Sequence, residues 1–427
     1  MTLNDNDRQP MIFLGGLFPP DKADEILQQS RAPVQFAADT LQRAFLRGFV
    51  KTAGVPIKVV SLPFVGSYPF RNRRLRFPQW SSSFTSNVII EGRPFLNLQF
   101  FKYVSRFLHA LAGLQAATPP GAKATIIVYS AHLPFLAAAN LFMRFRSDII
   151  LCVILPDLPE FMGVGGPVYS FLKKVETLVF RKLIASVDCF VLLTDAMGDR
   201  LGIPPERRVV VEGIFDSTDE TSESYIPSEP PSGSFPILYT GTLAARYGIV
   251  DLLDAFELLD LPQANLWICG DGDCRSQVEK LARHDNRVKY FGQVSRTQAL
   301  ALQRQASVLV NPRRAEGEYT KYSFPSKTME YLASGTPVVM HPLPGVPEDY
   351  LGYLAIPSSQ DAAGLANILK ELYNRPTDEL TTLGMQGRSF ILKKKNPETQ
   401  TRKVLDCLQA LEARGRKRSA TRSEATR

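Results

Sequence analysis

No apolar run in the chain approaches the length of a membrane-spanning helix. The longest runs, such as Phe135–Leu141, fall far short of the roughly 20 residues that such a helix needs. Residues 1–10 are polar and lack a charged segment followed by an apolar stretch, so we expect no signal peptide. We therefore predict a cytoplasmic protein, either free in solution or peripheral on the inner face of the cytoplasmic membrane.

Cysteine is scarce, and positive and negative charges nearly balance. The five cysteines show no CxxC spacing, and three follow or lie inside apolar runs, which favours buried free thiols in a reducing compartment. The net charge of +8 and the pI near 9.2 are modest for 427 residues. They favour anionic partners such as sugar nucleotides or an acidic membrane surface, and they do not indicate nucleic-acid binding.

Short apolar strands alternate with helical segments on both sides of one polar break. Residues 216–235 are rich in Ser, Glu and Pro and have no periodicity, as expected of an exposed linker. The alternation predicts α/β domains with doubly wound parallel sheets. Strands are predicted over residues 11–14, 57–62, 124–129, 149–155 and 187–193, and then over 235–239, 264–269, 288–291, 307–310 and 337–340. Helices are predicted over 33–53, 101–114, 133–145 and 167–184, and then over 248–259, 274–284, 295–305 and 325–334.

The length and the break together predict two domains. The first covers residues 1–215, and after the linker the second covers residues 236–397. An amphipathic helix over residues 398–414 is expected to pack back on the first domain, and residues 415–427 are expected to be a basic tail without secondary structure. Two sheets of this type place a cleft at the carboxyl ends of their strands.

The start of the helix near residue 327 has the composition of an anion site. Pro325 suits the first turn of a helix, and Ser326 lies on the same polar stripe as Glu330. Lys327 also lies in the first turn, where the helix dipole disfavours a cation unless an anion binds to the free amides. Glu330, one turn further, is placed to accept hydrogen bonds from the vicinal hydroxyls of a ribose. The alternative is a solvated helix face with an ordinary Lys327–Glu330 ion pair.

Two earlier strands of the second half run into glycine turns. In the first turn, Gly241 permits a close approach of the backbone, and Arg246 is within reach of a phosphate there. In the second, Leu266–Cys269 is followed by Gly-Asp-Gly-Asp. The two aspartates resemble a metal-binding pair, but such short runs are more often turns, and we interpret them as one.

Several motifs of the second half, taken in order, resemble a known family. The runs GTL..RYGI, LWICGDG, VKYFGQV, VLVNPR and SFPSK.MEYLASGTPVV resemble the donor-binding domain of retaining GT-B glycosyltransferases of family 4, over about residues 235–345. The resemblance implies a GT-B fold of two Rossmann-like domains facing a cleft. It also implies that a UDP- or GDP-sugar binds in that cleft without a metal or another cofactor.

The resemblance also implies roles for individual residues. Gly241 and Thr242 would touch the diphosphate, the loops with Gly270 and Val294 would hold the base, and Glu330 would bind the ribose. The sequence departs from the family in its charged residues.

The family has a basic pair where Thr242 and Tyr247 stand here, and Arg246 and Lys327 are our candidate replacements. Tyr322 occupies the place of a family glutamate, and Glu318 or Glu316 is the candidate to contact the donor sugar instead.

The first half offers one candidate catalytic residue, His132, at the end of a predicted strand. A lone histidine there is usually structural, but its position matches the cleft histidine of the family, which contacts the donor sugar near the reacting carbon. Gly15 and Gly16 match the family's flexible glycine loop beside the diphosphate, and a plain strand-to-helix turn is the alternative. No carboxylate pair presents itself as acid and nucleophile, so a glycosidase is disfavoured.

The expected acceptor side is the first domain. Residues 64–106 are rich in aromatic and basic residues, and residues 171–183 form a basic amphipathic helix. Core packing with a solvated charged face would explain such a helix, and attachment to an anionic membrane surface is the interpretation that we favour.

These observations predict a retaining glycosyltransferase that moves a sugar from a UDP- or GDP-sugar to a saccharide or polyprenyl-linked acceptor. The product would belong to a surface polysaccharide or a glycolipid. One alternative is a sugar-nucleotide epimerase of the same architecture. The other is a donor-binding scaffold without catalytic activity, which the departures at Thr242, Tyr247 and Tyr322 would suit.

Overall fold

The chain forms two compact units, which differ in extent from the predicted domains. The computed structural model describes residues 9–121, 123–146, 148–161, 167–219 and 233–424. One unit consists of Met1–Ile214 with Pro397–Arg427, and the other of Phe215–Asn396. The second unit begins at Phe215 because this side chain is buried in its core, ahead of the predicted linker. Residues 220–232 of that linker lie outside the described residues.

An eight-stranded sheet forms the centre of the first unit. Its order is β10-β9-β8-β7-β1-β2-β5-β4, and all neighbours are parallel except β4 and β5. The strands of the first unit are β1 (Met11–Gly15), β2 (Ile57–Ser61), β3 (Arg76–Phe77), β4 (Trp80–Thr85), β5 (Val88–Gly92), β6 (Phe95–Leu96), β7 (Ala124–Tyr129), β8 (Ile149–Leu155), β9 (Cys189–Leu192) and β10 (Arg208–Val210). Of these, β3 and β6 lie outside the large sheet and pair with each other as a two-stranded antiparallel sheet. The helices before the second unit are α1 (Ala23–Gln29), α2 (Phe36–Thr52), α3 (Phe101–Ala117), α4 (Leu133–Met143), α5 (Pro167–Ile184) and α6 (Asp195–Leu201).

The antiparallel edge of this sheet was not predicted. Strand β4 has the sequence WSSSFT and is half exposed, so it lacks the continuous apolar run by which the other strands were recognised. The central strands β1 and β7 are buried along their whole length, as is usual in parallel sheets covered on both faces. The predicted doubly wound α/β fold is confirmed, with a hairpin added at one edge.

A six-stranded, fully parallel sheet forms the centre of the second unit. Its order is β13-β12-β11-β14-β15-β16. The strands are β11 (Phe235–Thr240), β12 (Ala264–Cys269), β13 (Val288–Gly292), β14 (Val308–Asn311), β15 (Val338–Met340) and β16 (Leu354–Ala355). The helices are α7 (Ile249–Glu257), α8 (Arg275–His284), α9 (Arg296–Gln305), α10 (Lys327–Ser334), α11 (Ala362–Tyr373) and α12 (Thr377–Lys394).

The last helix, α13 (Pro397–Glu424), belongs to the first unit and packs on α2. A Cβ atom on Gly48 would lie 2.3 Å from the Pro397 carbonyl oxygen, so glycine permits this close crossing. The helix continues ten residues beyond 414, where the sequence predicted a tail without secondary structure. Four of these ten residues are Arg or Lys, which continue a helix at little cost.

The five cysteines are free thiols, and only Cys407 is not fully buried. Within the described residues, no helix combines the length and the apolar character that crossing a bilayer requires.

Candidate functional site

In the second sheet, the order in which successive strands are added reverses between β11 and β14. The strands that follow β11 in the chain, β12 and β13, lie on one side of it, and β14 to β16 lie on the other. In sheets of this kind, ligands bind beyond the carboxyl ends of the strands at such a switch point. A cavity of about 320 Å³ lies here. It is lined by Tyr239, Thr240, Gly241, Thr242, Tyr247, Asn311, Arg313, Phe324, Pro325, Ser326, Lys327 and Tyr331.

Two glycine turns pack directly against each other beside this cavity. Gly270 has φ +141°, and a Cβ atom there would lie 1.8 Å from the carbonyl oxygen of Gly241. The amide of Gly241 donates to the Cys269 carbonyl at 3.0 Å, and the amide of Leu243 donates to the Asp271 carbonyl at 3.0 Å. Gly270 therefore shapes the turn that carries Gly241, and its contact with a base stays a prediction.

The Asp-Gly-Asp sequence after Gly270 has the geometry of a turn. The amide of Gly272 donates to the Asp271 carboxylate at 2.9 Å, and Asp271 lies 3.9 Å from Arg275. Within the described ranges of the chain, no three His, Cys, Asp or Glu side chains are grouped so as to hold a metal ion.

A buried hydrogen-bond network fixes the end of β11. The hydroxyl of Tyr331 accepts the Thr240 amide at 2.7 Å and donates to the Thr240 carbonyl at 3.1 Å. The buried Gln303 amide donates to the Thr240 hydroxyl at 3.2 Å and to the Glu330 carboxylate at 2.7 Å. These hydrogen bonds connect strand β11 to helices α9 and α10. They therefore fix the cavity-lining residues of β11 and of α10 relative to each other. The sequence offered no signal for Tyr331 or Gln303, which resemble ordinary core residues.

We expect Tyr331→Phe to lower the free energy of unfolding of the second unit by about 1–3 kcal/mol, because it leaves the buried Thr240 amide without an acceptor. Chemical denaturation measures the effect. Tyr373→Phe is the matched control, since its hydroxyl bonds Gln263 at an exposed site and should change stability by less than about 0.5 kcal/mol. Equal losses in both variants would contradict the role given to the network.

Lys327 and Glu330 form the ion pair that the sequence allowed as an alternative. Lys327 Nζ lies 2.6 Å from Glu330 Oε1, and the lysine side chain is 43% exposed while the carboxylate side chain is 17% exposed. Burial raises the pKa of Glu330, but Lys327 and Gln303 outweigh it, so the pKa lies below its usual value and the group is ionised at neutral pH. Oε2 makes no hydrogen bond to any described residue, so a ribose hydroxyl could bind there without breaking the pair.

Arg313 is a cavity residue that our sequence analysis missed. Its side chain is buried, its Nη2 donates to the Ser323 hydroxyl at 3.1 Å, and its guanidinium lies 4.8 Å from the Tyr319 ring centre. No carboxylate pairs with it among the described residues, and its Nε has no hydrogen-bond partner there. A buried cation without a counter-ion is costly unless an anion binds beside it. Its place directly after β14, in the run VLVNPR, was a signal that could have identified it.

The other predicted donor-site residues divide into two groups. Thr242 and Ser326 are exposed and line the cavity together with Gly241. Arg246 is exposed, stacks 4.9 Å from the ring centre of Tyr247, and is not among the lining residues. Val294 follows β13 and is partly buried against the core, also outside the lining.

Tyr322 and Glu318 are joined in the loop before α10. The Tyr322 hydroxyl donates to Glu318 Oε1 at 3.0 Å. Tyr322, which stands where the sequence resemblance led us to expect a glutamate, therefore contacts a carboxylate four residues earlier in the chain. This pair does not line the cavity, and the contact of Glu318 with a donor sugar stays a prediction.

The predicted residues of the first unit also meet at a switch point, between β1 and β7. Gly15 ends β1, and Gly16 packs on the ring of Phe64, which lies 5.6 Å from the His132 ring. His132 stands at the N-terminal cap of α4. Gly15 and Gly16 are both buried, and the Gly16 amide donates to Gln42 Oε1 at 2.7 Å. That amide is therefore already occupied in the structure.

Comparisons with known proteins address the second unit most directly. Residues 234–375 match the model of the glycosyl transferases group 1 family. The second unit is a glycosyltransferase domain. No curated protein matches the chain.

Solved structures match nearly the whole chain. The sucrose-phosphate synthase of Thermosynechococcus elongatus has 17% identity and a TM-score of 0.61, and the match covers 95% of this chain and 100% of that one. Anabaena HepE in complex with UDP has 15% identity and a TM-score of 0.58, with 94% and 100% covered. The lipopolysaccharide outer core galactosyltransferase WaaB has 12% identity and a TM-score of 0.60, with 94% and 99% covered. The chain thus has the GT-B fold of two Rossmann-like domains.

Proposed function

We propose that this glycosyltransferase is a retaining enzyme that moves a sugar from a UDP- or GDP-sugar to a saccharide or polyprenyl-linked acceptor in the synthesis of a surface polysaccharide or glycolipid. The observation that carries the donor half of this proposal is the cavity at the β11–β14 switch point. Two cations, Arg313 and Lys327, line this cavity beside a glycine turn. Glu330, whose carboxylate would accept hydrogen bonds from the hydroxyls of a ribose, is paired with Lys327.

The cavity suits a nucleoside diphosphate for electrostatic reasons. The diphosphate would lie between the turn at Gly241 and Thr242 on one side and Lys327 at the start of α10 on the other. Arg313 and Lys327 would neutralise the charge that grows on the leaving diphosphate as the glycosidic bond breaks, and stabilisation of this kind supplies much of the rate enhancement of many enzymes. Retention without an acid and nucleophile couple fits a front-face reaction, in which a leaving-group oxygen helps to deprotonate the acceptor. The anomeric configuration of the product, read by NMR, tests retention.

A thermal-shift panel of UDP, GDP, ADP and their sugars tests donor binding. A ligand at about 100 times its dissociation constant should stabilise the second unit by about 2.7 kcal/mol. Glu330→Gln should weaken the shift given by nucleotides more than the shift given by pyrophosphate, because it removes the carboxylate proposed to bind the ribose, which pyrophosphate lacks. If no nucleotide produces a shift, the donor site is wrong.

A transfer assay separates the proposed enzyme from its alternatives. We expect sugar transfer from the donor that binds best, undiminished by a chelator, since we propose that neither a metal nor another cofactor takes part. Epimerisation of the donor would favour the epimerase, and binding without turnover in every acceptor mixture would favour the scaffold. Anabaena HepE, solved with UDP and with UDP-glucose, makes uridine donors the first to try.

We also propose that the first unit binds an anionic membrane surface, which suits a lipid-linked acceptor and places the protein on the inner face of the cytoplasmic membrane. Helix α3 exposes a row of apolar side chains at i, i+3 and i+7, namely Phe101, Val104 and Leu108, which are 62%, 58% and 55% exposed. Helix α5 exposes Leu178 beside the exposed Lys174 and Lys182. This combination of apolar and basic side chains is typical of interfacial helices.

Liposome co-sedimentation tests the membrane proposal. Wild-type protein should sediment with vesicles that contain anionic lipid and remain in solution with neutral vesicles. The triple variant Phe101→Ser, Val104→Ser, Leu108→Ser should lose this binding, whereas Leu258→Ser, an equally exposed leucine of the second unit, should retain it. Binding that is independent of anionic lipid would overturn the proposal.

A further inference from the structure

His132 is hydrogen-bonded to a buried arginine. Arg106, on α3, is 1% exposed, and its Nη1 lies 3.1 Å from His132 Nε2. The same guanidinium donates from Nη2 to the carbonyl of Pro63. It also lies over the rings of Phe95 and Phe64, 4.6 Å and 5.7 Å from their centres. Arg106 is thus held in place by a carbonyl and by contacts with two aromatic rings.

The chemistry of this contact decides where the imidazole carries its proton. A guanidinium stays protonated and has only N–H donors, so His132 Nε2 must be the acceptor. An imidazole whose Nε2 accepts a hydrogen bond is neutral and carries its proton on Nδ1. No described residue bonds Nδ1, so this N–H is left to donate to a substrate.

The charges around His132 agree with this assignment. Arg106 and Lys102 face it from α3, and burial together with the nearby Arg106 lowers the pKa of Lys102 to about 7. The remaining neighbours are rings: Tyr103 of α3, Phe64 after β2, and Phe135 of α4. Burial, Arg106 and Lys102 together lower the pKa of His132 well below its usual value, and no carboxylate opposes them.

We propose that Arg106 is a positioning residue that holds His132 as the neutral Nδ1–H tautomer, so that His132 serves the sugar transfer as a hydrogen-bond donor through Nδ1. In this role His132 takes up no proton, because its lone pair on Nε2 is occupied by Arg106. The inference deepens the proposed function and rests on it for the reaction, but the tautomer itself can be observed without any turnover.

Long-range proton–nitrogen NMR of the full-length protein with 15N-labelled histidine reads the tautomer directly. The chain has four histidines, and His132→Asn identifies the signals of His132 by their loss. We expect the Nδ1–H pattern, unchanged across the pH range in which free histidine titrates, about 5.5–7.5. A wild-type His132 that carries its proton on Nε2, or that titrates within this range, would overturn the proposal.

Variants of Arg106 test its role as the cause. In Arg106→Met, His132 should become a tautomer mixture and titrate closer to the ordinary pKa. Arg106→Lys should largely preserve the Nδ1–H pattern, because a lysine is also a donor without an acceptor. If Arg106→Met does not fold, the wild-type spectrum still decides the tautomer.

Two substitutions of His132 separate its ring nitrogens in the transfer reaction. The Asn amide nitrogen lies near the position of Nδ1, whereas the Gln amide nitrogen reaches the position of Nε2. We expect both variants to lose kcat, and His132→Gln to lose about 10- to 100-fold more than His132→Asn, as for the loss of one hydrogen bond to a substrate. A more active Gln variant would sink the donor role. Absence of transfer in every form, with the expected NMR pattern, would instead contradict the proposed function alone.

Discussion

Gly270→Ala is expected to lower the free energy of unfolding of the second unit by about 3–5 kcal/mol and to remove nucleotide binding with it. Two costs add at this position. The new Cβ atom would lie 1.8 Å from the Gly241 carbonyl oxygen, a backbone atom that cannot rotate away. The φ of +141° is also one that side chains rarely adopt. Relief requires the turn at Gly241 to move, and that turn lines the cavity.

The two tryptophans allow this loss to be measured in the right unit. Trp267 lies in the core of the second unit and Trp80 lies in the first, and a two-unit protein need not unfold in a single step. In a Trp80→Phe background, fluorescence during urea unfolding therefore reports the second unit alone.

Two glycine controls separate overlap from backbone strain. At Gly292, φ is +68° and an added Cβ atom would have no heavy atom within 4 Å, so Gly292→Ala should lower the free energy of unfolding by only about 1 kcal/mol. At Gly352, an added Cβ atom would point into open space and φ is not positive, so Gly352→Ala should lower the free energy of unfolding by less than Gly292→Ala does. A Gly270→Ala protein as stable as the Gly292→Ala protein would mean that the turns can separate freely.

Replacing Arg313 or Lys327 by methionine is expected to weaken the binding of a nucleoside diphosphate by about 10- to 100-fold each. Hydrogen bonds to charged groups are worth about 1.5–3 kcal/mol, and both cations line the same cavity. Methionine keeps most of the side-chain volume. Calorimetric titration with the best nucleotide of the thermal-shift panel measures the loss.

In Arg313→Met, we expect the affinity for the nucleotide to fall without a loss of thermal stability. The guanidinium is buried without a carboxylate among the described residues, and replacing such a charge by an apolar group is often neutral or stabilising. We therefore expect Arg313→Met to unfold at an equal or higher temperature while it binds the nucleotide more weakly. This combination distinguishes a ligand-binding cation from a structural one.

Matched control variants test whether the loss of nucleotide affinity is specific to the basic residues that line the cavity. Lys280→Met, an exposed lysine on α8, should leave nucleotide affinity unchanged. Arg246→Met should cost less than about threefold, because this arginine stacks on Tyr247 outside the cavity lining. A nucleoside without phosphates should bind all variants alike. If Arg246→Met weakens binding more than Arg313→Met does, the sequence-based choice of Arg246 is right and the cavity assignment is wrong.

Local patterns were enough to predict most of the buried parallel strands and many of the helices between them. The strands over residues 124–129, 149–155 and 264–269 were placed at their observed ends, since buried parallel strands are short apolar runs that turn residues terminate. Lys327 was singled out because its charge conflicts with the helix dipole unless an anion binds, and Gly241 because a glycine at a strand end permits a close approach of the backbone; both line the cavity. The half-exposed strand β4 escaped because a serine-rich segment has no apolar pattern.

The sequence by itself therefore determined the α/β alternation, the glycine turns and the position of Lys327 at a helix start, because each depends on residues within one or two turns of the chain. Only the tertiary structure decided that Arg313 lines the cavity and Arg246 does not, that Tyr331 and Gln303 connect β11 to α10, and that Arg106 occupies Nε2 of His132. Those contacts join residues 26 to 91 positions apart. Which distant side chains meet depends on how the strands are ordered and how the helices pack, and no local period encodes that order.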